Sequence, residues 1–253
     1  MPFKKETIRE ISSYVAAHLP EGEFYKNYFW FISDLPLRTR LEDEYKAARY
    51  IYKLLEGMQV QDELRVAQCK IQILLYASIY EAVLHHVLLQ DYSSTSEVKD
   101  LTKYDKKIPI NISQEIKNRI QKSYNPAGRI SVYEDKDGTL DERKIVFEDK
   151  AETAKRLGLI NQKIKDVICD VYSMRNAIHL HAEIRRGVNY DLKAAQKAYW
   201  HLQGFAEQIG DKMEKDFKAA RPTVLSPSMS KKKKIPKARQ SWVRRIFAWC
   251  FSK

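Results

Sequence analysis

Apolar residues recur at helical spacing along most of the chain. Residues 4 to 19 place Ile8, Ile11, Val15 and Leu19 on one stripe, closed by Pro20-Glu21-Gly22, and predict a first helix. Next comes Phe24-Tyr25-Lys26-Asn27-Tyr28-Phe29-Trp30-Phe31, with six rings in eight positions. These rings read as core, filling a joint between the first helix and a bundle. A base-stacking platform is the lesser alternative, because basic residues are too sparse among them.

After Pro36, Leu37 to Met58 keeps the period through Leu41, Tyr45, Ala48, Tyr52 and Leu55, with Gly57 near the C-terminal end. Residues 62 to 90 form the clearest helix. Its expected inner face is Ile71, Leu74, Leu75, Ile79, Ala82, Val83 and Val87, with Glu81 and His85-His86 beside or on it.

Between Asp91 and Asp149 the period changes. Ser93-Ser94-Thr95-Ser96 breaks the helix, a short amphipathic helix is expected around Ser113 to Ser123, and Asn125-Pro126-Ala127-Gly128 turns the chain. Arg129 to Tyr133 and Arg143 to Phe147 flank Asp135-Lys136-Asp137-Gly138 and predict a small surface hairpin without a sheet core. Two further helical runs span about Asp149 to Ala182, broken at Gly158-Leu159-Ile160, and Asn189 to Ala220. The second carries Leu192, Ala195, Tyr199, Leu202, Ala206 and Ile209.

The expected fold is all-α, a helical bundle with a small β-hairpin insertion and a basic C-terminal tail. Residues 1 to 58 would supply N-terminal helices packed on the bundle. Residues 59 to 221 would form the bundle itself, with the insert at about 125 to 148. Residues 222 to 253 would form a disordered tail, rich in Ser, Pro and Lys, ending in a short amphipathic helix.

Charge must be located before it informs function. The net charge is +12, but from Lys231 onward there are nine basic residues and no acid. That leaves about +3 for the first 230 residues, so RNA binding by the body must rest on local sites. In the tail, Lys231, Lys232, Lys233 and Lys234 precede an apolar arc containing Trp242, Phe247 and Trp249, with Arg244 and Arg245 opposite. Such a segment suits an anionic membrane surface, a docking site on another protein, or a nonspecific RNA tether.

No apolar run approaches the length of about 20 residues that a membrane span needs, and Met1-Pro2-Phe3-Lys4-Lys5-Glu6 lacks a secretory h-region. Cys69, Cys169 and Cys250 show no C-x-x-C spacing, so neither a disulfide framework nor a zinc site is expected. The expected location is cytoplasmic, peripheral at the inner membrane surface if the tail binds it. P-loop, dinucleotide, zincin and α/β-hydrolase motifs are absent, as are paired carboxylates at two-metal spacing. Neither a metal nor a cofactor is therefore expected, and metal-free RNA cleavage stays compatible.

The densest chemistry lies in Arg175-Asn176-Ala177-Ile178-His179-Leu180-His181. Ile164, Val167, Ile168, Val171, Met174 and Ile178 make an apolar stripe, and Arg175 points out of it. Burying an unpaired guanidinium is costly, so Arg175 either pairs with a carboxylate on a neighbouring helix, with Glu81 as the suggested partner, or faces a cleft or a partner chain. An always-charged Arg can hold phosphate and a His can move protons.

Arg175, Asn176 and His181 resemble the signature of the HEPN superfamily, an Arg, a polar residue and a His four to six positions on. Leu75 to Leu84 is similar to an early bundle helix of such domains, and the likeness covers roughly residues 60 to 220. His179 falls outside the strict spacing, although helix geometry would place it beside Arg175.

The resemblance implies a metal-independent endoribonuclease of the toxin or defence kind, working as a homodimer whose motif helices build one composite cleft. It implies RNA as substrate, and an antitoxin-like or regulatory protein as a further partner. His181 or His179 would move the proton, Arg175 would hold the phosphate, and Asn176 would orient a neighbour or contact RNA. Arg185 and Arg186 would add RNA-binding charge. The alternative in the same class is a non-catalytic interaction or nucleotide-sensing module, held at a membrane by the tail.

Overall fold

The computed structural model describes residues 2–20, 22–26, 28–124 and 131–222. The chain divides into a compact unit, Met1–Ala219, and a second unit, Ala220–Lys253, which holds the tail; the structure expected of the tail lies outside the described residues. The helices are α1 (Lys5–His18), α2 (Gly22–Lys26), α3 (Leu35–Gly57), α4 (Asp62–His86), α5 (Ser96–Thr102), α6 (Gln114–Tyr124), α7 (Phe147–Arg156), α8 (Gln162–Asn176), α9 (Leu180–Arg186) and α10 (Leu192–Lys215). Two strands, β1 (Lys103–Ile110) and β2 (Val132–Thr139), complete an all-α bundle with a small ribbon.

The bundle is built around α4, which packs against α3, α7, α8 and α10. Cys69, Ile73, Tyr76, Ala77, Tyr80, Val83, Leu84 and Val87 are buried along it. A π turn, Val87–Asp91, carries the helix on, so that Val87, Leu88 and Leu89 are also inside. Two buried amides fix α3 on α4: Gln72 donates to the Ala48 carbonyl at 2.9 Å and Gln68 to that of Tyr52 at 3.3 Å. Each uses a helix carbonyl's second lone pair, so neither group is left dry.

Ile71 and Leu74, expected on the inner face of α4, point outward instead. Helical spacing sets them on a stripe with Ala67, Ser78, Glu81 and His85, about half a turn from the Ile73–Tyr80 face. The expectation failed because α4 is apolar almost all round, and a helix of that kind gives periodicity little to discriminate. The segment Asp62–Asp91 also reaches the length and mean hydropathy, 1.3, of a membrane-crossing helix, a match that a scan for unbroken apolar runs misses. Its burial among four helices accounts for that composition.

The aromatic run after α1 is core: Tyr25, Tyr28, Phe29 and Phe31 are buried and join Tyr45 of α3. Gly210 of α10 makes room for them, since a Cβ there would lie 2.8 Å from the Trp30 ring. Arg49 of α3 donates to the Tyr199 hydroxyl and sits over that ring, tying α3 to α10.

The ribbon differs from the expected hairpin. β1 pairs antiparallel with β2 from Lys103↔Thr139 to Ile110↔Val132, and Asp135–Gly138 lies within β2 instead of forming the turn. Gly138 lets the Tyr104 ring lie flat on β2, where a Cβ would stand 2.6 Å from that ring and push it aside. Residues Arg143 to Phe147, expected as the second strand, form a 3₁₀ turn (Glu142–Lys144) and the start of α7. Their apolar alternation comes from Ile145 and Phe147, which anchor this return in the core. An alternation this short does not separate a strand from a core-anchored turn.

Tyr80 offers a test of the core, being fully buried, edge-on to Phe205 and donating to the Ala198 carbonyl at 2.5 Å. Tyr80→Phe should lower stability by about 1 kcal/mol through the loss of one buried hydrogen bond. Tyr80→Ala should lower it by roughly 3–5 kcal/mol through a cavity. Urea midpoints at constant slope would measure both.

Candidate functional site

Three helices each present two side chains one turn apart: Glu81 and His85 from α4, Phe147 and Lys150 from α7, and Tyr172 and Arg175 from α8. Asn161 starts α8 by accepting from the Ile164 amide at 2.9 Å, after Gly158 has broken the helical run with a φ of +72°. This start sets the phase that puts Tyr172 and Arg175 toward α4.

The Tyr172 hydroxyl donates to Glu81 Oε1 at 2.9 Å, and its ring stacks on Phe147 with centroids 4.0 Å apart. Burial, then the Glu81 carboxylate, push the Tyr172 phenol up to about 12. Arg175 is held loosely by comparison. Its Nη1 donates to Tyr172 at 3.4 Å and to Asn176 Oδ1 at 3.1 Å, and Nη2 stands 3.8 Å from Glu81 Oε2. Glu81 is thus the internal partner suggested for Arg175. Both side chains are about one-third exposed, so the pair is worth at most about 1 kcal/mol. An incoming anion can compete for Arg175 at small cost.

Behind this pair lies Lys150, 4% exposed, whose ammonium donates to His85 Nδ1 at 3.2 Å. The acceptor role of Nδ1 puts the proton of the neutral imidazole on Nε2, which faces Glu142 Oε2 at 3.6 Å. Burial, reinforced by the Lys150 charge, pulls the His85 pKa down. Burial also lowers Lys150, although Glu81 and Glu142 oppose it. Lys150, Tyr172 and Phe147 were not singled out from the sequence. The available signals were a lysine three residues after a core Phe, and a tyrosine three residues before Arg175.

The two motif histidines do not join this cluster within one chain. The helix expected to run to Ala182 stops at Asn176. Buried Ala177 caps it, and the Tyr190 hydroxyl bonds the Met174 carbonyl at 2.8 Å, taking the place of the Ile178 amide of a continuing helix. His179 is the N-cap residue of α9, its carbonyl accepting from Ala182 and Glu183. Helix geometry therefore gives His179 no claim on Arg175. The rings of His179 and His181 are exposed and make no hydrogen bond or ion pair with any described residue.

α9 also carries exposed Arg185 and Arg186, and ends at Gly187 in the left-handed conformation. It is tied to α4 by Lys70, whose Nζ lies 2.6 Å from Glu183. Leu180 and Ile184 are 71% and 80% exposed, and Leu64, Ile71 and Leu74 are exposed on α4. An open depression lined by Asp62, Glu63, Val66, Ala67 and Lys70 lies toward the start of α4, away from Arg175.

Among the described residues no group of three or more His, Cys, Asp or Glu side chains could hold a metal ion. The tail residues Lys231, Lys232, Lys233, Lys234, Trp242, Arg244, Arg245, Phe247 and Trp249 lie outside the described residues.

His85 gives a pH test. Its folded-state pKa lies below the free value of 6.5, so its contribution to stability is complete above about pH 6.5 and is lost as pH falls toward the folded value. The urea midpoint of the wild type should drop between pH 7.5 and 5.5 more than that of His85→Gln. Parallel curves would remove His85 as the cause.

Compared with known proteins, the chain matches no family model, no curated protein and no solved structure.

Proposed function

We propose that this chain is a metal-independent endoribonuclease of HEPN type, in which two copies bring their motif segments together around RNA. The observation that carries this reading is Arg175, a partly exposed guanidinium whose only carboxylate contact among the described residues, to Glu81, is a long 3.8 Å, at a helix end followed by two histidines that make no hydrogen bond or ion pair with any described residue. Exposed Leu180 and Ile184 flank His181 on α9, and an apolar surface beside a polar cleft suits a second copy.

The chemistry needs few groups. A base takes the ribose 2′-OH proton, the oxygen attacks the adjacent phosphorus, and the 5′ oxygen departs and gains a proton, leaving a 2′,3′-cyclic phosphate. Arg175 would compensate the growing phosphorane charge. His181 or His179, supplied across the pair, would move protons. Tyr172 and Glu81 would aim the guanidinium until phosphate displaces the carboxylate.

A second reading has its own support: within one chain Arg175 rests on Glu81, Tyr172 and Asn176 and touches neither histidine ring. That arrangement suits a non-catalytic interaction or nucleotide-sensing module. RNA or nucleotide binding without cleavage would favour it.

With purified protein, single-stranded RNA and excess EDTA, cleavage should persist. Arg175→Ala should lose about 100-fold or more of the rate, in line with removal of one charge-stabilising donor. Cleavage that chelation abolishes, or that Arg175→Ala leaves intact, would sink the mechanism. For association, Ile184→Asp should convert a dimer to a monomer in sedimentation and abolish cleavage together, with no loss of helix content in far-UV circular dichroism, since Ile184 is 80% exposed within one chain. A dimer that tolerates the aspartate takes this face out of the reading.

A further inference from the structure

The ribbon and its helix are unlike the rest of the molecule. α6 has 11 residues and buries none of them, although an isolated helix of this length is marginal in water. The strands leading to it are exposed over most of their length. Lys103–Tyr124 carries six basic residues against two acidic ones, whereas residues 1–102 carry twelve against fifteen. The arm's other acids, Glu134, Asp135 and Asp137, are on β2, where Asp135 lies across from Lys107 while Lys136 lies across from Lys106, so the cations of α6 are the ones clear of them in the register.

Lys106, Lys107, Lys117, Arg119 and Lys122 form no ion pair with any described residue. Within the same segment Lys103 and Lys136 are paired, with Asp100 and Glu134. Three tyrosines are exposed among the free cations: Tyr104 on β1, Tyr124 at the end of α6, and Tyr133 on β2.

The root of the arm adjoins the Arg175 cluster. The Leu140 amide closes the ribbon on the Thr102 carbonyl at 2.7 Å. Two residues later Glu142 stands 3.6 Å from His85, one turn of α4 from Glu81. On the other side, α5 enters β1 directly and packs on α7, the helix of Phe147 and Lys150.

We propose that residues 103–124 and 131–139 form an arm that docks single-stranded RNA and leads it to the Arg175 cluster, an inference that rests on the proposed action on RNA. Unpaired cations spread along a ribbon match a phosphate backbone, and exposed rings match unstacked bases. Double-stranded RNA would leave the rings without a role. An acidic peptide would do the same.

The test uses the full chain carrying Arg175→Ala, so that RNA stays intact, with a fluorescent single-stranded RNA followed by anisotropy across salt concentrations. In that background, K106Q/K107Q/K117Q/R119Q/K122Q should weaken binding at low salt at least tenfold. It should also flatten the slope of log affinity against log salt by up to about 3.5, given roughly 0.7 per phosphate contact on single strands. Tyr124→Leu with Tyr133→Leu should weaken binding about tenfold with no change in slope. Melting temperatures should not move, because the charge changes touch no buried residue.

Affinity and slope unchanged in the charge variant would overturn the proposal. So would a loss seen on phosphatidylserine vesicles and absent on RNA. A wild-type chain that binds through the arm and never cuts removes the cleavage reading alone. One that cuts while its affinity ignores both variants removes the arm alone.

Discussion

The structure depends on one constraint, the enclosure of one broad face of α4 by other helices. Four helices cover it, and its continuation through the π turn at Val87–Asp91 keeps three more residues inside. On the covered face polar side chains need internal partners, as Gln68 and Gln72 have, and the cover opens along the stripe of Ala67, Ile71, Leu74, Ser78, Glu81 and His85. The first part of the stripe is apolar and exposed, the last part charged and overlaid by α7 and α8. The position of the candidate site is thus a consequence of packing. Glu81 and His85 face Tyr172, Arg175 and Lys150 because every other side of α4 is occupied by core.

Within the site, the strong and weak contacts divide the labour. Tyr172 is fixed twice, by stacking on Phe147 and by a short bond to Glu81. Arg175 bonds Asn176 and lies over the Tyr172 ring, but its contact with Glu81 is long, so the group suited to binding an anion is also the one free to leave that carboxylate. Lys150 makes this exchange less costly. With its charge close behind Glu81, the carboxylate is not stranded when the guanidinium turns away.

Much of the fold was legible because long helices carry their own period: α3, α8 and α10 have the stripes that Leu41–Tyr45–Ala48, Ile164–Val167–Ile168–Val171 and Ala195–Leu202–Ile209 announce. The sidedness of α4 was not, since Ile71 and Ile73 are equivalent in a helix apolar all round. The strand partner of Val132–Thr139 lies about 30 residues upstream, across a helix, and no local rule pairs them. The end of α8 at Asn176 is marked by neither Gly nor Pro. It is set by a hydroxyl from Tyr190, which becomes a neighbour only once α9 has folded back. Arg175 and Glu81 belong together for a general reason, the cost of a lone buried charge. Lys150 is tolerated by burial for which the sequence offered only a lysine among core positions.

The seven-residue helix α9 has a consequence for timing. A segment of that length does not hold its shape unaided. Here it is pinned by the partly buried Lys70–Glu183 pair, with a left-handed glycine at its far end. If a second copy settles on Leu180 and Ile184, ordering of the segment and encounter of the copies become one equilibrium, and the histidines gain fixed positions only in the pair. The chain would then work as a concentration sensor: idle when dilute, and rising with the square of its abundance until pairing saturates.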